Sequence, residues 1–271
     1  MSKVLRGFTY LSAAITFTSL IWIIGYVLVS GIPHLSPELF SWHYTTDNVS
    51  MMPSIITTLY VIGGSLLIAI PFGVFAGFYL VEYAGKNNKW VEVVRIATDT
   101  LTGVPSIVFG LFGMLAFVTA AKLQYSLISG ILTMAIMVLP LIIRNTEEAL
   151  MSVKDTLRQA SFGLGAGKLR TIFKIVLPIA MPGILSGIIL AIGRIVGETA
   201  ALMYTLGTST SLPNSIFSSG RTLALHMYVL SSEGLHRDQA NATGVILLLV
   251  VLIVNGLSTW LSQQFTKGEN K

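Results

Sequence analysis

The chain has 271 residues, 53% of them hydrophobic and only 11% charged, with a mean hydropathy of +0.77 and a net charge of +5. A soluble domain carries about 25% charged residues, so an ordinary soluble enzyme or binding module is excluded. Cysteine is absent, which removes disulfide frameworks, thiolate nucleophiles and sulfur metal sites. The four His residues form no HExxH and no helically spaced pair, so no metal motif is present.

In chain order, the few charges leave long neutral windows. Phe8 to Gly31 is too long for a signal h-region and reads as a retained first span. Arg6 to Glu38, Asp47 to Glu82, Asp99 to Lys122, Lys122 to Arg144 and Asp238 to Lys267 each enclose about 20 or more uncharged residues, enough for ~30 Å of hydrocarbon. A sixth apolar stretch, Pro182 to Leu206, contains Arg194 and Glu198. Backbone groups cannot be left unpaired in lipid, so these spans should be helices. The expected fold is an all-α integral membrane protein with six transmembrane helices. Its expected divisions are 1–52 (first helix and outer loop), 53–264 (transmembrane core, with a loop at 145–181) and 265–271 (tail).

Lys and Arg set the orientation. With the N-terminus in the cytoplasm, thirteen of them, including Lys86, Lys154, Arg158, Lys168, Arg170, Lys174 and Lys271, fall on inner segments. Only Lys122, Arg221 and Arg237 fall outside. The positive-inside rule then places both termini in the cytoplasm. The positive charge reflects topology and anionic lipid; no aromatic-interleaved basic patch suggests nucleic acid. In the long outer segment from Gly207 to Asn241, Leu223 to Leu230 reads either as a short helix lying on or dipping into the membrane, or as an ordered loop.

Between the fourth and fifth spans, Ala149, Val153, Leu157, Ala160 and Leu164 recur at helical spacing with Lys154, Asp155, Arg158 and Gln159 between them. Gly163, Gly165 and Gly167 then break the helix. A second amphipathic stretch follows, which Pro178 should stop, and Pro182 stands where the next span should begin. Composition alone leaves two readings even: a compact knob of two short helices, or helices lying in the headgroup layer. Gly163-Leu-Gly-Ala-Gly-Lys168 imitates a P-loop but lacks the first Gly, the Ser/Thr after Lys and a preceding strand. This chain therefore does not bind ATP by that motif.

In Gly193-Arg194-Ile-Val-Gly197-Glu198-Thr199-Ala200, Arg194 and Glu198 stand at i,i+4, which puts them on one face if the helix continues. An intrahelical ion pair fixing the packing would account for them. The favoured reading is a guanidinium facing an anion path, because intramembrane ionisable residues generally mark pathways and Arg grips phosphate bidentately. Thr199, Ser106 and Thr205 are weaker lining candidates.

The loop decides between its two readings through a resemblance. Gln159, Ala160, Ser161, Gly165, Ile175, Leu177 and Pro178 resemble the EAA loop of ABC importer permeases, with Gln in place of Glu and Ser in place of the second Ala. The resemblance implies that these residues dock on a separate ATPase. A closer one joins Leu101–Gly110, Arg144–Leu150, Gln159–Ala166, Gly193–Ala200 and, more loosely, Gly220–Tyr228 to the phosphate-specific transport permeases, nearer the A-type than the C-type. It implies a MetI-like core in spans two to six, a homologous second permease, two ATPase subunits that bind ATP-Mg, and an extracytoplasmic phosphate-binding protein. It also implies that this chain carries no catalytic residue and no cofactor. The alternatives are a permease of the same fold for another oxyanion or an uncharged solute, and a membrane enzyme. The enzyme has no nucleophile–base pair to support it.

Overall fold

A computed structural model describes residues 3–84 and 89–267. Lys86 and the tail residues 268–271, all expected in the cytoplasm, lie outside the described residues. Every regular element described is helical: α1 (Lys3–Gly31), α2 (Met52–Phe78), α3 (Lys89–Thr102), α4 (Ser106–Gly113), α5 (Leu127–Met151), α6 (Asp155–Gly163), α7 (Lys168–Thr171), α8 (Leu177–Val196), α9 (Ala200–Met203), α10 (Leu223–Glu233) and α11 (Arg237–Lys267), with short 3-10 and π turns between them. Five helical segments are long and apolar enough to cross a membrane, or six if the bent pair α3–α4 counts as one span.

Glycines set how closely the central helices approach. Gly73 meets Ile142 and Gly77 meets Thr146, so α2 and α5 run parallel. Gly183 meets Ala149 and Gly187 meets Asn145, so α8 runs antiparallel to α5. A Cβ on Gly183 would lie 2.7 Å from that of Ala149. Small residues are needed at such crossings, because helices in lipid associate through close packing rather than hydrophobic transfer. The core between these helices holds Val61, Met134, Met137, Val138, Ile142 and Ile195, all almost fully buried. By contrast α1 is largely exposed and leans on α11, with Gly31 against Asn241 and Val245 and Val27 against Gly244. It is a peripheral span of this chain.

Two expectations are corrected. The third span does not run unbroken from Asp99 to Lys122. Asp99 lies inside α3, and α3 and α4 meet at 104° across Gly103-Val104-Pro105, because Pro105 disfavours helix at Val104. Nor does Pro178 end a short helix, or Pro182 begin a span. One helical run extends from Lys168 to Val196, over 29 residues. The π turn Ile172–Val176 lies immediately before the prolines. Such local rearrangement lets a membrane helix pass the missing N–H of a proline.

The stretch after Gly207 does enter the bundle. Leu223, Leu225, His226 and Leu230 of α10 are buried, and the Leu223 N–H donates to Thr58 Oγ1 of α2 at 2.9 Å. α10 is therefore a wedge between spans and not a surface loop.

Candidate functional site

Arg194 is set in the middle of the bundle. It lies two helical turns beyond Gly187, opposite the Val138 level of α5, near that helix's midpoint. Its expected partner is elsewhere. α8 ends at Val196 with Gly197 as its cap, so the i,i+4 geometry that would have paired Arg194 with Glu198 is interrupted. Glu198 is buried, and its Oε1 accepts the backbone N–H of Ala201 at 3.0 Å, capping α9. Among the described residues no hydrogen bond or ion pair reaches the half-buried Arg194 guanidinium.

Around it the helices are discontinuous. Gly110 packs on Ala201 and Gly113 on Thr205, so α4 and α9 ascend together, and Ser106, at the start of α4, stands at the level of the Gly197 break. Ser106 and Thr199 are both half-exposed. Thr205, in the turn after α9, is fully buried and donates back to Ala201 O at 2.8 Å, so it lines nothing. On α8, Ile179, Ser186, Leu190 and Gly197 form an exposed stripe at helical spacing, and Arg194 stands on its edge. Arg194 thus stands near the level at which α8 ends and α4 and α9 begin, on a partly open face and without a counter-ion among the described residues.

The second site lies at the basic end of the bundle. Gln159 and Ala160 are exposed on α6, and Gly165 takes φ +80 in the turn that follows, a left-handed conformation that favours glycine. Leu164 projects from this turn with 89% exposure, beside exposed Phe162, an apolar tip suited to a partner's cleft. Ser161 points inward, its hydroxyl 2.8 Å from Thr171 Oγ1, so it clamps the turn from within. Ile175, Leu177 and Pro178 lie farther along, half-buried in the run entering the membrane. The structure thus brings Gln159 to Gly165 together as one tip and leaves the Ile-x-Leu-Pro end as its stem.

Two groups of residues were not legible from the spacing. Arg158 donates from Nε and Nη2 to Glu82 Oε1 (3.1 and 2.9 Å), from Nη1 to the Val153 carbonyl (2.6 Å) and from Nη2 to the Leu150 carbonyl (2.9 Å). This ties α6 to the ends of α2 and α5. Alongside, Arg95–Glu147 and Arg144–Asp99 bind α3 to α5. The other group lies at the opposite end, where Arg221 sits 5.0 Å over the Tyr44 ring and Tyr44 meets His226 edge-on. Burial, with Tyr44 in partial compensation, lowers the Arg221 pKa, and Arg221 Nε and Nη2 have no partner among the described residues. Burial first, and then Arg221, push His226 down to about 3.

That depression has a testable sign. Between the ordinary value of 6.5 and about 3, the unfolded chain binds a proton that the folded chain refuses, so stability falls as pH is lowered through this window. The expected loss from pH 7 to 5 is about 2 kcal/mol. It should be read as a falling thermal midpoint in detergent that His226→Leu largely removes. An equal fall in that variant would assign the loss to other groups.

Residues 69–267 match the family model described as "Binding-protein-dependent transport system inner membrane component". The "Probable ABC transporter permease protein YqgI" of Bacillus subtilis is 32% identical over 98% of this chain and 96% of its own. The "Phosphate transport system permease protein PstA" of Haemophilus influenzae is 31% identical over 94% of this chain and 91% of its own. Among solved structures, a chain of the "bacterial alginate ABC transporter in complex with alginate pentasaccharide-bound periplasmic protein" shares the fold at TM-score 0.68 and 16% identity, covering 95% of this chain and 96% of that one. The fold and its discontinuous midpoint define a multi-pass membrane permease. The chain belongs to the family of binding-protein-dependent transport permeases and is a permease subunit of an ABC importer.

Proposed function

We propose that this chain is the A-type permease of a phosphate importer in a prokaryotic cytoplasmic membrane, with both termini and the α6 tip inside the cell. It would pair with a homologous C-type permease, with two ATPases that bind ATP-Mg, and with an extracytoplasmic phosphate-binding protein. The observation that carries the reading is the unpaired Arg194 at mid-depth. A guanidinium left without a counter-ion in a low-dielectric bundle is costly, and a passing oxyanion supplies the missing charge through two parallel hydrogen bonds. The similarity to PstA proteins supports phosphate as that oxyanion, and the excess of Lys and Arg on one side supports the orientation.

Phosphate delivered at the α10 end would reach Arg194 past the Gly197 break and would leave toward the basic end along the exposed α8 stripe. ATP binding in the partner would pull on the Gln159–Gly165 tip and, through Arg158 and Glu82, on α2 and α5, so that the two permeases rock about the site. Glu198 acts by fixing where α9 starts, and so the shape of the break. The test is labelled-phosphate uptake in phosphate-limited cells with and without this chain, with unlabelled phosphate, sulfate and molybdate as competitors. Loss of uptake on deletion, with competition by phosphate alone, is expected. Uptake of sulfate or molybdate that disappears with the chain, while phosphate uptake remains, overturns the substrate.

A further inference from the structure

On the side of α8 away from the Arg194 stripe lies an open cavity of about 630 Å³ between α2 and the α7–α8 run, walled by large side chains including Phe75, Tyr79, Tyr83, Phe173 and Leu185. Phe75, Tyr79, Tyr83, Leu169 and Phe173 are each at least half exposed, so the groove is open along its flank. It is almost wholly apolar along its length. At its basic end Lys168 Nζ stands 4.5 Å over the Tyr83 ring, at the rim, and Arg170 and Lys174 are exposed on the same two turns. The neighbouring acid, Glu82, is 9% exposed and already held by Arg158, so it does not neutralise them.

We propose that this groove is a binding site for one anionic phospholipid, its phosphate on Lys168 with Lys174 and its acyl chain against Phe75, Phe173 and Leu185. Basic pockets between membrane helices on the cytoplasmic side take anionic head groups. A second permease fits this wall less well. Helix–helix faces in membranes use small residues for close approach, and here the wall is aromatic and branched. The exposed small residues of α8, Ser186 and Gly197, lie on the other stripe. The bound lipid would brace the π turn Ile172–Val176 against the end of α2, next to the turn that carries Gly165. Phosphatidylglycerol thereby stiffens the stem through which the tip moves the bundle. The inference uses the proposed orientation of the basic end but not the identity of the transported solute.

The test uses the full chain, purified with its co-assembling subunits, in nanodiscs of phosphatidylcholine with or without phosphatidylglycerol. Retained phosphatidylglycerol is read by native mass spectrometry. Lys168→Gln with Lys174→Gln should lower retention about 25-fold, from about 1 kcal/mol per charge. Leu185→Trp, which fills the groove and keeps the charges, should lower it as far while the subunits still co-purify. Should Leu185→Trp fail to assemble, a single Cys at Phe75 in this naturally Cys-free chain decides. Crosslinking to a thiol-reactive phosphatidylglycerol supports the site, and crosslinking to another subunit overturns it. Retention indifferent to the charge pair also overturns it. Phosphate uptake by all variants is measured separately, so a change of transported solute leaves these outcomes standing.

Discussion

Arg194→Gln should reduce phosphate uptake by at least about a hundredfold while the assembled complex survives. Hydrogen bonds to a charged group are worth about 1.5–3 kcal/mol each, and a bidentate guanidinium makes two. Gln retains one donor group and loses the charge. Poor insertion is not the expected cause, because a neutral residue lowers the membrane penalty at mid-span. Arg194→Lys should recover little, since a point charge lacks the planar fork. Glu198 separates two accounts of the site. Were it the counter-ion of Arg194, Glu198→Gln would change anion retention. As a cap on Ala201, it should tolerate Gln, whose oxygen still accepts, and fail as Ala, which leaves a buried N–H without its acceptor. Labelled-phosphate uptake in reconstituted vesicles reads all four variants. Arg194→Gln transporting at the parental rate in an intact complex would make the residue a packing element.

The spans were legible where charge spacing alone decides them. α2 falls inside its neutral window, and α5 and α11 are built around theirs and run on into flanking charges, because a hydrocarbon core excludes charge over a fixed length. α10 could be anticipated only as a choice between a helix on or dipping into the membrane and an ordered loop, because eight mostly apolar residues carry no information about depth. Three breaks were misread, each for a physical reason. Pro105 announces a bend, but its window is long and neutral enough to read as one span. Pro178 and Pro182 stop a helix in water; beside a π turn in a packed bundle they do not. Gly197 ends α8 one residue before Glu198, so the four-residue spacing no longer implies a shared face. Ser161, read as part of a docking surface, turned out to be the inner clamp of that surface, because periodicity assigns a residue to a helix but not to the neighbour it meets. Arg158 and Glu82 are 76 residues apart, and no local pattern could join them.

That pair carries the second large effect. Arg158 and Glu82 are nearly buried, at 13% and 9% side-chain exposure. Arg158 also donates to two carbonyls at and just past the end of α5: Val153, and Leu150, which accepts the Val153 N–H as well. Arg158→Ala strands one carboxylate and the Val153 carbonyl, at an expected cost of about 3–5 kcal/mol, concentrated in the docking of α6. Amide exchange across 153–163 should therefore quicken strongly while the α5 core around Val138 stays protected, and ATP hydrolysis by the co-purified partner should lose its dependence on transport. Glu82→Gln should be milder, because the amide oxygen still accepts from Arg158. Exchanging the two charges, Glu82→Arg with Arg158→Glu, should not rescue, since a carboxylate cannot donate to the α5 carbonyls. A surface ion pair would behave oppositely, with little loss in the single variants and recovery in the exchange. Unchanged exchange over 153–163 together with normally coupled hydrolysis in Arg158→Ala would remove α6 from the route between the ATPase and the anion path, leaving α7 and its stem as the only described continuation of the tip into the membrane.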